Sequence, residues 1–192
     1  GFKCTRGSEQ DVLDRFYKSA KFLDADVIVR ITGDCPLVDS HLVDECIREY
    51  KKQKVDYFSN IDPVTYPDGL DIEVMSFQSL ERANLEAETD FDREHVTPYI
   101  RNSDNFSKSS VQHEEDLSSQ RWSVDEPEDL IVVSKIFEYF SPDIFFDWKK
   151  VLELLKIRPE LFEDNIKIKN NEGSNMGTGQ NLYKRAKRVI PG

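Results

Sequence analysis

The chain has 192 residues, of which 38% are hydrophobic and 11% aromatic, enough to build a real core and to exclude a wholly disordered protein. Asp and Glu number 37 against 26 Lys and Arg, a formal net charge of −11, which argues against a surface made for nucleic acid or an anionic membrane. The charge is uneven: from Lys167 onward there are six basic residues and one acidic one, so the acidic excess lies in the body before it.

In chain order, Ser8 followed by Asp11 resembles a capping box and opens a helical stripe of Val12, Leu13, Phe16, Tyr17, Ala20 and Leu23. The β-branched run Val27 to Thr32, ended by Gly33, reads as a buried strand of a parallel or mixed sheet. Asp39 or Ser40 caps a second helix through Leu42, Val43, Cys46, Ile47 and Tyr50, and a short strand follows over Val55–Phe58. The alternation of helices and strands is α/β grammar. Pro67, Asp68 and Gly69 mark a turn before an alternating strand from Leu70 to Phe77. Helices are expected over Leu80–Glu88 and Asp92–Arg101, and strands over Phe106–Val111 and Gln120–Val124. Pro127 suits the first turn of a helix running to about Phe140, and two short helices near Trp148–Lys156 and Arg158–Phe162 close the body. Asn170 to Gln180 has linker composition. The cysteines Cys4, Cys35 and Cys46 are odd in number and widely spaced, which suits reduced thiols in the cytoplasm, and no apolar run is long enough for a membrane span.

Four segments can carry chemistry. In Arg30 to Leu37 a strand ends in Gly33-Asp34, and Asp34 either serves a ligand at the sheet's carboxyl edge or caps a turn. In Arg121 to Leu130 a short strand ends in Asp125 before a helix, where Asp125 reads on its own as an N-cap, with Glu126, Glu128 and Asp129 complementing the helix dipole. Two strand-end aspartates also match what Mg²⁺ requires, since it takes one or two carboxylates and fills its octahedron with water and phosphate oxygens. Asp71 and Glu73 share one face if their segment is a strand, either around a polar acceptor or as charges guarding a solvated hairpin edge. Arg93 and His95 can bind an anion or lie on a solvated helix, and no second His follows at the metalloprotease spacing.

Taken in order, R-G-S-E-Q-D-V-L-D-R (6–15), R-I-T-G-D-C-P-L-V-D (30–39), Y-P-D-G-L-D-I-E-V (66–74), R-E-H-V-T-P-Y-I-R (93–101) and R-W-S-V-D-E-P-E-D-L (121–130) form a set. That set resembles the cytidylyltransferases of the spore-coat-polysaccharide type, relatives of the acylneuraminate and 3-deoxy-manno-octulosonate cytidylyltransferases. The resemblance implies a nucleotide-diphospho-sugar transferase fold, a three-layer α/β/α sandwich with a mixed, mostly parallel sheet. It implies transfer of CMP from CTP to a sugar, with Mg²⁺ and release of diphosphate, in cell-surface polysaccharide synthesis. By the same resemblance Asp34 and Asp125 are the catalytic metal ligands, and Arg6, Gly7, Ser8 and Asp11 lie near the nucleotide. Asp71, Glu73, Arg93 and His95 then fall on the acceptor side, and a homodimer forms through the hairpin near Tyr66–Val74.

The family's opening strand and Gly-rich phosphate loop are not found at the start of this chain, so residues 1–166 are expected to be an incomplete cytidylyltransferase domain that is inactive alone. Residues 167–180 are expected to be a linker. N-L-Y-K-R-A-K-R-V-I-P-G (181–192) resembles the opening of a glutamate-1-semialdehyde-type aminotransferase, whose pyridoxal phosphate would belong to a domain further downstream. Two rivals stand beside this reading. A sugar-nucleotide glycosyltransferase of the same fold would need a D-x-D pair, for which Asp24-Ala25-Asp26 is the nearest match. A non-catalytic acidic interaction module would bind neither Mg²⁺ nor CTP.

Overall fold

The computed structural model describes residues 2–168. The expected linker and the aminotransferase-like segment at 181–192 therefore lie outside the described residues, apart from the first two linker positions. The elements are α1 (Val12–Phe22), β1 (Val27–Arg30), α2 (Ser40–Gln53), β2 (Tyr57–Ser59), β3 (Glu73–Ser76), α3 (Phe77–Glu86), α4 (Asp90–His95), α5 (Pro98–Asn102), β4 (Lys108–Ser110), α6 (Pro127–Phe140) and α7 (Trp148–Ile157), followed by a 3₁₀ turn at Pro159–Phe162. Among the described residues no helix is long and apolar enough to cross a membrane.

The chain divides into two compact units, each drawn from separated segments. The first comprises Gly1–Ile31, Leu42–Val64 and Ile72–His113 and holds a four-stranded sheet in the order β1-β3-β2-β4. β3 runs antiparallel to both β1 and β2, whereas β2 and β4 are parallel. The sheet is mixed, as expected, but two of its three ladders are antiparallel, which corrects the mostly parallel expectation. The cause is the path of the chain through the sheet. The β1–α2–β2 connection leaves its two parallel strands one strand-width apart, and β3 returns between them in the opposite sense.

The core of this unit is Leu13, Ala20, Ile28, Tyr57, Met75, Leu80, Ala83, Val96, Ile100 and Phe106, with Phe16, Tyr17 and Phe77 packed on its rim. α1 presents its expected stripe to that core. Its N-cap is Asp11, whose carboxylate accepts from the Asp14 amide, and the Ser8 hydroxyl instead holds the preceding turn by accepting from the Gln10 and Asp11 amides. The single helix expected over Asp92–Arg101 is two. Val96 has φ +74°, and Pro98 cannot donate to a continuing helix, so the chain restarts as α5.

Among the described residues, the second unit comprises Thr32–His41, Thr65–Asp71 and 114–168. Its buried residues include Leu37, Tyr66, Trp122, Val132, Val133, Ile136, Trp148, Val151, Leu154 and Phe162. Tyr66 meets Trp148 edge-on at 5.6 Å between ring centroids, and the Asp39 carboxylate accepts from the Trp148 amide at 3.1 Å. α6 begins where Pro127 predicts, with Glu126 as N-cap and a reciprocal capping box to Asp129. Gln120–Val124 is not a strand. Its backbone bonds go to loops, with Asp68 donating to Gln120, Trp122 donating to Asp68, and Val124 donating to Asp34.

Candidate active site

Those loop bonds build the site. The turn after β1 carries Asp34, whose carbonyl accepts from the Val124 amide at 2.8 Å, one residue before Asp125. The Asp68 amide donates to Gln120 at 2.9 Å, and the Asp68 carbonyl accepts from Trp122 at 2.7 Å. This close approach requires Gly69. Its φ is +102°, and a Cβ there would lie 2.6 Å from Trp122 C and Ser123 N. Three separate segments of the second unit thus deliver Asp34, Asp68 and Asp125 to one place. Beside them, a Cβ built on Gly33 meets no atom within 4 Å, so the space next to Asp34 is open.

At the centre is Arg121, nearly buried. Its Nε and Nη2 donate to the two oxygens of Asp129 at 2.9 and 2.8 Å, and Nη2 also donates to Asp125 Oδ2 at 2.9 Å. Its Nη1 lies 3.7 Å from Asp68 Oδ2. The Ser123 hydroxyl is within 3.2 Å of Asp68 Oδ2 and 3.3 Å of Asp125 Oδ2. Three carboxylates therefore share this one guanidinium.

Their titration follows from that crowding. Burial, and then the charge of Asp34, push Asp125 above its ordinary value, against the pull of Arg121 and Ser123. Burial also raises Asp68, with Arg121 pulling it back and Asp125 and Asp34 adding to the rise. Asp129 goes the other way. Burial alone would raise it, but Arg121, Asn165 and the Glu126 and Asp125 amides all donate to it and hold it low. Next to Asp34, burial drives the Cys35 thiol up to about 12, so it stays a thiol and not a nucleophile.

Asp34 and Asp125 suit a hard divalent cation: two carboxylates, mutually repelling, beside open space. Among the described residues no group of three or more Asp, Glu, His or Cys side chains is disposed to hold a metal. A cation on Asp34 and Asp125 would thus complete its shell with water and substrate oxygens, as Mg²⁺ commonly does.

The other expected residues fall elsewhere. Asp71 is half-buried in the second unit, near enough to Cys35 to raise its thiol further. Glu73 lies inside β3 in the first unit, buried, bonded to Arg30 and to the Tyr57 hydroxyl, the latter at 2.6 Å. A solvated hairpin edge is therefore excluded, since β3 has a neighbour on each side. Most of Tyr66–Val74 is buried within the chain. Arg93, expected on the acceptor side, and Asp11, expected near the nucleotide, form a forked ion pair at 2.7 and 3.0 Å, and Arg93 also donates to Asn84. Its acceptors tie α4 to the start of α1 and to α3. His95 packs against Phe91 at 4.5 Å. Arg6, Gly7 and Ser8 precede α1, with the Ser8 carbonyl accepting from Arg15 and a Cβ at Gly7 meeting the Arg15 side chain at 3.0 Å. The D-x-D candidate Asp24–Asp26 stands at the amino end of β1, the end of that strand away from Asp34.

Asp68, Arg121 and Asp129 were not foreseen. The signal for the last two lies in the spacing R-x-x-x-D-x-x-x-D over 121–129, a cation with acids at four and eight residues. Asp68 leaves only the Asp-Gly turn as a trace.

An α/β chain whose paired aspartates follow a strand and precede a helix is suited to phosphoryl or nucleotidyl transfer. Residues 1–168 match the cytidylyltransferase family, and the chain belongs to that family. It is 36% identical over 172 residues to the uncharacterized protein MJ1063 of Methanocaldococcus jannaschii, spanning 88% of this chain and 69% of that one. It is 41% identical over 103 residues to the spore coat polysaccharide biosynthesis protein SpsF of Bacillus subtilis, spanning 53% of this chain and 42% of SpsF. A solved cytidylyltransferase from Leptospira borgpetersenii superposes with a TM-score of 0.77 at 31% identity, covering 82% of this chain and 67% of the other.

Proposed function

We propose that this chain supplies the catalytic body of a cytidylyltransferase that moves CMP from CTP to a sugar, releasing diphosphate, for polysaccharide synthesis. The observation that carries the reading is the pairing of Asp34 with Asp125 at the end of a strand and the start of a helix, held by the 2.8 Å backbone bond from Val124 to Asp34, where burial and then the charge of Asp34 raise the proton affinity of Asp125. Such a pair favours a bound cation over two bare charges. Family membership and the likeness to SpsF supply the substrate class.

Asp34 and Asp125 would hold Mg²⁺, which when bound neutralises charge on the reacting phosphates. The remaining work belongs to the chain. Gly33 leaves room beside Asp34 for a phosphate to approach. Ser123 and Arg121 fix one oxygen of Asp125, and the backbone bond between Val124 and Asp34 fixes the separation of the two loops. No side chain of the site is a poised nucleophile, which suits direct in-line attack by a sugar oxygen, with positioning and electrostatics as the source of rate.

In the full-length protein, Asp34→Asn and Asp125→Asn should each slow diphosphate release from CTP with an acceptor sugar by at least ~10²-fold, the scale of losing a charge stabiliser. Wild-type rates in either variant, measured by a coupled diphosphate assay, would refute the assignment.

A further inference from the structure

We infer that Arg121 is a positioning residue for the cation site, a buried clamp that sets how Asp125 presents its carboxylate; this rests on the metal reading of Asp34 and Asp125 given above. Arg121 is itself fixed at both ends. Its guanidinium forks onto Asp129, which is fully buried and also accepts from the Asp125 amide at 3.1 Å, the Glu126 amide at 2.9 Å and Asn165 Nδ2 at 2.9 Å. Its backbone carbonyl accepts from the same Asn165 amide at 3.0 Å. A guanidinium held this way has little rotamer freedom left, and its remaining Nη2 bond goes to Asp125 Oδ2. Asp125 Oδ1 takes no part in these bonds, so the clamp occupies one oxygen and leaves the other for a cation.

The geometry makes a prediction opposite in sign to simple electrostatics. Arg121 is a positive charge beside the carboxylates, and by Coulomb's law alone it repels a cation, so removing it should tighten metal binding. If Arg121 acts by orienting Asp125, removing it should weaken binding, as loss of an outer partner to a metal ligand commonly does. Lysine separates the two effects further, because it keeps the charge and loses the fork.

The test is Mn²⁺ titration of the full-length protein, read by the electron paramagnetic resonance of free Mn²⁺, for wild type, Asp125→Asn, Arg121→Lys and Arg121→Gln, with circular dichroism to check folding. Wild type should bind and Asp125→Asn should bind much more weakly. Both Arg121 variants should then bind at least ~10-fold more weakly than wild type. Should Arg121→Gln bind as tightly as wild type or tighter, or Arg121→Lys bind unchanged, the clamp is refuted while the metal site stands. If wild type binds no Mn²⁺, or Asp125→Asn binds as wild type does, the metal reading fails and the clamp with it. Where the Arg121 variants do not fold, Asn165→Ala decides, since it leaves every charge in place and cuts only the tether. It should weaken binding by at least ~3-fold, and unchanged affinity would overturn the proposal.

Discussion

Gly69 shows how one residue without a side chain can hold a site together. Its φ of +102° is strained for any other residue, and a Cβ would press on the Trp122 and Ser123 backbone at 2.6 Å. Gly69→Ala should therefore cost about 3 kcal/mol, combining a left-handed backbone with overpacking, measurable by urea unfolding. Gly33→Ala should leave stability nearly unchanged, because its Cβ would meet nothing within 4 Å; any effect would appear in CTP binding. Asp34 was legible in the sequence as a residue at the end of a strand, and Asp125 as one at the start of a helix. Arg121 was not, because a buried ion pair joins groups whose pairing depends on how the loops fold back. The sequence spacing of Arg121, Asp125 and Asp129 resembles neighbours on a helix face, yet residues 121–125 are not helical. The three side chains meet because an extended segment turns into α6 at the capping box.

Elements with a clear apolar stripe were readable nearly to the residue. α6 starts where Pro127 indicates, and α7 lies within a residue of its expected range, whereas α1 starts at Val12 on an Asp11 cap and not on Ser8. Segments whose identity depends on a partner were not: Gln120–Val124 has strand composition but pairs with loops, and Glu73 reads as a surface charge but lies in an interior strand between Arg30 and Tyr57. The tie between α1, α3 and α4 through Asp11, Asn84 and Arg93 belongs to this second kind. Burial alone would raise Asp11, but Arg93 and the Asp14 amide hold it below its ordinary value of 3.8. A carboxylate lowered on folding adds stability that is present above its unfolded value and lost as pH falls through the lower folded value. The gap in melting temperature between wild type and Asp11→Asn should therefore be full at pH 6 and close below 3.8. Arg93→Ala should lose about 1–2 kcal/mol at neutral pH, since its bonds to Asn84 go as well as the ion pair.

At the scale of the molecule, the excess of acid is not spread as a solvating coat alone. Asp68, Asp125 and Asp129 lie around Arg121 in the second unit with Asp34 close to Asp68 and Asp125, and two of the four are raised by burial and mutual repulsion. That repulsion is a cost of folding which a bound cation would relieve, so Mg²⁺ should stabilise this unit in particular. A ligand that binds only the folded state at about 100 times its dissociation constant adds about 2.7 kcal/mol. For a chain of this size that corresponds to a rise of about 5–10 °C in the transition that unfolds this unit. Differential scanning calorimetry of the full-length protein can separate specific binding from screening. NaCl at matched ionic strength screens these charges without ligating them, so it should reproduce little of a shift that comes from a cation bound to Asp34 and Asp125. Asp125→Asn should behave differently from wild type on both counts. Without cation it should melt no lower, or slightly higher, because one repelling charge is gone from beside Asp34, and Mg²⁺ should then add almost nothing. A full Mg²⁺ shift surviving in Asp125→Asn would mean that the cation stabilises the protein elsewhere, and the carboxylates around Arg121 would need another explanation.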